Sequence, residues 1–146
     1  MKGRGIIFIL ALMAVCCSRP SSYEPFVIRE KAEYGDTYPF SLDLSDSTVS
    51  YSLDFYTRLE RLPFGDYPSE NIVLDLRWIS PDDSILVDTA YINISHPVDS
   101  AYYSRDFISS YSDALDLPSS GEWRLNAKVV NDSQVLRGLG IILKRH

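Results

Sequence analysis

Cysteine is almost missing from this chain. Of 146 residues only Cys16 and Cys17 carry a thiol, side by side near the amino end, so the rest of the chain has no disulfide framework to lean on. Histidine is as scarce. His96 sits beside Pro97, and His146 is the last residue, so neither has neighbours that suggest a nucleophile, a base and an orienting group. The G-x-S-x-G elbow, H-E-x-x-H, the phosphate-binding loop and the dinucleotide glycine fingerprint are all missing. The sequence is therefore read as non-enzymatic, with no cofactor and no metal expected. Positive charge is also in deficit: 14 Lys and Arg stand against 20 Asp and Glu, a formal charge of −6. That balance argues against nucleic acid as a partner and against attraction to anionic lipid heads by charge alone.

The positive charge at the very start has a different meaning. Lys2 and Arg4 precede an unbroken apolar run from Ile6 to Val15, and the two cysteines follow at once. This is the three-part layout of an export signal. As a helix the run would rise roughly 16 Å, about half of a ~30 Å hydrocarbon core, so it is too short to span a membrane comfortably. An apolar run that stops at cysteine matches the lipobox of bacterial lipoproteins, whose thiol takes a diacylglycerol before cleavage. Cutting before Cys17 leaves small residues, Ala14 and Cys16, at the −3 and −1 positions. Cutting before Cys16 leaves Met13 and β-branched Val15 there, so Cys17 is the favoured lipidation site and Cys16 the alternative.

The expected organisation is a signal peptide over 1–16, a lipidated tether over 17–23 and one domain over 24–146. Two or three acyl chains hold such a protein on a membrane essentially permanently. Removal of the leader takes away two cations and no acids, which moves the formal charge from −6 to −8. The polar spacer Ser18-Arg19-Pro20-Ser21-Ser22 lacks an acidic run after the cysteine, which tilts the expectation toward the periplasmic side of the outer membrane.

Alternation with period two dominates the remainder. Tyr51, Leu53, Phe55, Thr57 and Leu59 share one face, as do Ile72, Leu74, Leu76 and Trp78, each set the mark of a half-buried strand. Ser80-Pro81-Asp82-Asp83 joins the second of these to Ile85–Ile94 as a hairpin. A second hairpin is predicted from Trp123–Val129 to Val135–Lys144 across Asn131-Asp132-Ser133. Gly138 and Gly140, on one face of that last strand, predict a bulge or a close backbone approach. Phe26–Glu30 and Tyr38–Leu44 are expected as early strands, and Asp99–Leu115 as an irregular segment covering an edge rather than a short helix. Abundant tyrosine suits a pleated surface. The fold expected is all-β, an antiparallel β-sandwich of about seven to eight strands.

Candidate ligand chemistry is thin. Asp82 and Asp83 share a turn that could attract calcium but lacks the other ligands, so turn chemistry is the better reading. Asp43 with Asp46 means little for glycoside hydrolysis without a fold, and Asn93-Ile94-Ser95 and Asn131-Asp132-Ser133 match glycosylation acceptors without force in a bacterial lipoprotein. Tyr56, Tyr67, Tyr91, Tyr102 and Tyr103 are candidates for an exposed binding patch.

The segment Arg58–Asp82, RLERLPFGDYPSENIVLDLRWISPD, resembles the gliding-motility lipoprotein GldH family of Bacteroidetes, in which a strand leads through a D-Y-P loop into an N-[IL]-x-L strand ending near a proline turn. Pro118–Lys144, with SGEWRL and then VLRGLGIIL, is similar to that family's closing hairpin. The resemblance implies a non-enzymatic outer-membrane lipoprotein that supports gliding and the linked type IX secretion machinery by docking to other envelope proteins. It marks Cys17 for lipidation and Asp66, Tyr67 and Pro68 as a recurring loop suited to partner contact. The alternative is a carbohydrate- or peptide-binding lipoprotein of a nutrient-uptake system. Mass spectrometry of protein extracted from the envelope is expected to find an amino-terminal Cys17 bearing fatty acyl chains; an uncut Met1 end would contradict it.

Overall fold

A computed structural model describes residues 20–63 and 67–146; the leader, Cys16, Cys17 and Asp66 lie outside the described residues. The ten strands are β1 (Ser22–Tyr23), β2 (Phe26–Ile28), β3 (Thr37–Leu44), β4 (Tyr51–Glu60), β5 (Asn71–Ile79), β6 (Ile85–Asn93), β7 (Asp99–Ser100), β8 (Ser104–Ser112), β9 (Gly121–Val129) and β10 (Leu136–Arg145). One sheet runs β1-β10-β4-β8-β7, with β2 also on β10, and the other runs β3-β9-β5-β6. All pairs are antiparallel. The two sheets face each other as a β-sandwich, the expected fold, in which seven long strands build the layers and three short ones trim their margins.

Alternation explains the core. The inward sets Tyr51, Leu53, Phe55, Thr57 and Leu59 on β4 and Ile72, Leu74, Leu76 and Trp78 on β5 are buried, as are Tyr38, Phe40, Leu42 and Leu44 on β3 and Trp123, Leu125, Ala127 and Val129 on β9. Each large apolar side chain removed from water contributes about 1.5–3 kcal/mol, so a one-residue slip in any of these strands would expose its whole inward set. Trp78 links the layers, meeting Trp123 edge-on at 6.4 Å and stacking on Tyr111 of the opposite sheet at 6.2 Å.

The predicted β5–β6 hairpin is present, in register from Asn71 with Asn93 to Ile79 with Ile85. Its turn is closed by side chains: the Asp82 carboxylate accepts hydrogen bonds from the Ser80 and Ser84 hydroxyls, while Asp83 takes a left-handed φ of 65°. These aspartates act as turn chemistry.

Three sequence expectations are corrected. The segment Asp99–Leu115 is not an irregular cover but contains β7 and β8, and β8 lies beside β4 within the sheet. Its pattern is disguised because Arg105 and Ser109 share the inward face with Phe107, while outward Asp106 is buried. The closing strands β9 and β10 do not form a hairpin either. They belong to opposite sheets, and the chain arches between them. Asn131 turns it: its side-chain oxygen accepts the Val73 N–H at 2.7 Å and its amide donates to the Asn71 carbonyl at 3.0 Å. Alternation reports which face is buried, and a hairpin and an arch bury the same faces. Finally, Ser22 and Tyr23, placed in the spacer by the sequence, pair with Lys144 and Leu143, so the sheet reaches back toward the cysteines.

Gly138 and Gly140 give both features predicted of them. The β10–β4 register shifts between Leu136 and Gly138. A side-chain carbon at Gly138 would come within 2.4 Å of the Phe26 ring and 2.8 Å of the Val27 carbonyl, and one at Gly140 within 2.9 Å of the Pro25 carbonyl. Only bare backbone lets β2 lie this close. Gly138→Ala is expected to cost about 1–3 kcal/mol by overpacking, read from urea unfolding. Combined with Phe26→Ala the total should fall short of the sum; strict additivity would contradict the close approach.

Candidate functional site

The predicted contact loop joins β4 to β5. Tyr67 is half-buried, with its ring edge-on to Phe107 at 6.0 Å, and its hydroxyl has no partner among the described residues. Burial pushes this phenol up. Tyr67 thus anchors the connection to the core, while Pro68 is exposed beside it. The tyrosine candidates divide in the same way. Tyr91 is exposed on β6, Tyr102 and Tyr103 meet edge-on at 4.5 Å in the turn between β7 and β8, and these stand on different sheets. Tyr56 is half-buried.

Tyr56 belongs to a polar cluster that sequence reasoning missed. On the outer face of the first sheet, Arg58 grips Asp106 with two bonds, Nε to Oδ1 at 2.7 Å and Nη2 to Oδ2 at 2.8 Å. The Tyr56 hydroxyl donates to the same carboxylate at 2.5 Å. Phe26 roofs the group, with its ring edge-on to Tyr56 at 5.5 Å and 6.0 Å from the Arg58 guanidinium. The arginine hydrogen bonds hold the Asp106 carboxyl below the ordinary carboxylate range despite its burial. Burial first, and then Asp106, raise Tyr56. Alternation had set Tyr56 and Arg58 outward; their partner was hidden because Asp99–Leu115 was not read as a strand. The carboxylate, the phenol and the Nε and Nη2 groups of the arginine are all engaged with one another, so the cluster ties β4 to β8.

A serine and a histidine also meet: Ser52 Oγ lies 2.9 Å from His146 Nε2. No carboxylate pairs with His146 among the described residues, and the backbone of His146 is bonded in both directions to Ser50. The contact clips the end of β10. His96 is exposed. Among the described residues no group of three or more histidine, cysteine and acidic side chains is placed to hold a metal ion.

The most open backbone lies on the flank where β6 and β8 adjoin. Hydrogen bonds at both ends of the β5–β6 ladder, Ser80 N–H to the Ser84 carbonyl at 2.9 Å and Ile94 N–H to the Glu70 carbonyl at 3.0 Å, fix its parity. Even-numbered residues of β6 exchange bonds with β5, and Ile85, Val87, Thr89 and Tyr91 turn their N–H and C=O groups outward, although the Thr89 N–H is already taken by Asp88 Oδ1 at 2.8 Å. Asn93 N–H, of the same parity, reaches Ser109 Oγ at 2.9 Å. The strand is the margin of its sheet, and its side chains are unusually apolar for one: Val87 is 79% and Tyr91 61% exposed. Beside it, Phe55, Ala90 and Tyr111 line a hollow of about 320 Å³. The Tyr111 hydroxyl crosses this gap to donate to Asp88 at 2.6 Å. Burial, helped by Asp88, pushes that phenol up to about 12, so it remains a donor at any physiological pH.

Fold and surface together define a class, a two-sheet antiparallel sandwich with one long open edge and no assembled catalytic group among the described residues. No family model matches the chain, and no curated protein matches it.

The Asp106 cluster yields a pH prediction. Its carboxyl titrates below the ~3.9 of an unfolded aspartate, so its contribution is complete above that value and is lost as the pH falls through the lower folded value. Asp106→Asn is expected to cost about 1–2 kcal/mol at pH 7, allowing for the half-exposed arginine. The gap in urea stability between the two proteins should close in strong acid. A gap constant down to pH 2 would contradict the assignment.

Proposed function

We propose that this chain is a non-enzymatic envelope lipoprotein, anchored in the outer membrane through Cys17, that serves as an accessory of the gliding-motility and type IX secretion machinery by docking to other envelope proteins. The observation that carries the proposal is the apolar leader ending at Cys17 so close to a sheet domain. Four residues separate Cys17 from Ser22, and the Ser21 carbonyl already accepts a bond from Arg145 N–H at 3.0 Å.

That spacing has a mechanical consequence. Five extended residue steps reach about 17 Å, so a lipid on Cys17 would hold the Ser22 end of the sandwich near the bilayer. The β4–β5 connection leaves from the other end of β4, roughly 30 Å away along the strands. The end of the domain bearing Tyr67 and Pro68 would therefore face away from the membrane. The family resemblance supports gliding and secretion as the setting, and the lack of an assembled catalytic group among the described residues fits a docking role.

A second reading, ligand capture for nutrient uptake, draws on one feature. The outer face of the β3-β9-β5-β6 sheet forms an open hollow of about 770 Å³ lined by Arg77, Asn126, Lys128 and Tyr34, the last 98% exposed. Soluble glycans raising the thermal midpoint would favour it. Deletion of the gene is expected to impair surface spreading and type IX secretion, with Cys17→Ala failing to restore either; normal spreading and secretion in the deletion strain would contradict the docking proposal.

A further inference from the structure

The margins of this sandwich are not treated alike. At the β3 margin, Val129 N–H bonded to the Asp36 carbonyl at 2.8 Å sets the parity, so odd-numbered residues of β3 face outward, and there Pro39 offers no N–H. The outward Thr37 is already bonded in both directions to Glu33. The opposite sheet is trimmed by β7, two residues long, and on its other side by β1 and β2, short pieces interrupted at Pro25. Against these, β6 runs for nine residues, ILVDTAYIN, without proline, glycine, lysine or arginine. Proteins ordinarily blunt such an edge, because its free N–H and C=O groups template another strand.

We infer that the outward edge of β6, over Ile85–Tyr91, is a strand-addition site for an extended segment of a partner protein, one that carries lysine or arginine among alternating apolar residues. This rests on the docking proposal and names its surface and the chemistry of its partner. Backbone bonds to Ile85, Val87 and Tyr91 and to the Thr89 carbonyl supply the attachment, and alternate side chains of the incoming strand fall over the hollow beside Phe55, Ala90 and Tyr111. Charge selects the occupant. The only charged residue of β6 is Asp88, held at the hollow by Tyr111, and the turn leading into the strand adds Asp82, while Asp83 is paired with Arg124 at 3.0 Å. A second copy pairing antiparallel about Asp88 would set that carboxylate against itself, and each copy carries a formal charge of −6. A basic strand meets the same carboxylate as a counter-ion.

The test uses the mature lipoprotein in detergent micelles and a short end-blocked peptide alternating valine with lysine. Binding by fluorescence anisotropy is expected, with slowed hydrogen exchange at Ile85, Val87 and Tyr91. Val87→Pro removes an outward donor and no bond to β5, so it should keep the far-ultraviolet spectrum and weaken binding at least tenfold. Val87→Lys, which keeps every backbone donor but places a like charge on the edge, should do the same, and so should glutamate for lysine in the peptide. Binding indifferent to both variants, no binding at all, or a free protein that sediments as a dimer with β6 amides protected would each overturn the inference. In cells, the deletion strain separates the two levels. If wild type restores secretion and Val87→Pro does so equally, the edge is wrong and docking stands; if deletion has no effect, docking itself fails.

Discussion

Two open sheets laid face to face have four margins, and the N–H and C=O groups along each must find water, a neighbour or a guard. That constraint organises this molecule more than its core does. The core is ordinary aliphatic and aromatic packing, which many sequences supply. What distinguishes the chain, among the described residues, is that three margins are broken up by proline, by short strands or by local pairing, while that of β6 is left long and apolar.

The closing of the first sheet depends on β10. It is flanked by β4 on one side and by β1 and β2 on the other, and the second of these contacts exists because Gly138 and Gly140 present no side chain to Phe26 and to the carbonyls of Pro25 and Val27. The Phe26 ring then roofs the Arg58–Asp106 pair, so the glycine pattern, the short strand and the buried carboxylate form one connected arrangement. It also fixes where the chain enters the domain, which sets the end that a lipid on Cys17 would hold toward a membrane.

Much of this was legible in the residues. Alternation marked β4, β5 and β9 with their buried faces, β-branched residues after Pro81-Asp82-Asp83 marked β6 and the tight hairpin, and the paired glycines marked the close approach. The misses have physical causes. In β8, outward Asp106 is buried because an arginine from β4 neutralises it, and inward Arg105 and Ser109 interrupt the apolar face, so the period that identifies a strand was broken twice. The arch from β9 to β10 was read as a hairpin because side-chain parity carries no record of which backbone bonds to which. Asn131, whose side chain turns the chain away, looked like any turn residue. For the site, Tyr67 stands out in the sequence of its loop and packs its ring against Phe107 of the core, whereas the open edge at β6 required the sheet order, which no local pattern contains.

Along β6, backbone groups bonded to β5 alternate with groups that no other strand among the described residues takes up. Amide hydrogen exchange of the free protein, resolved residue by residue, tests this alternation most directly. Leu86, Asp88, Ala90 and Ile92 should exchange slowly and Ile85, Val87 and Tyr91 quickly; protection uniform along the strand, or of the opposite parity, would contradict the open edge.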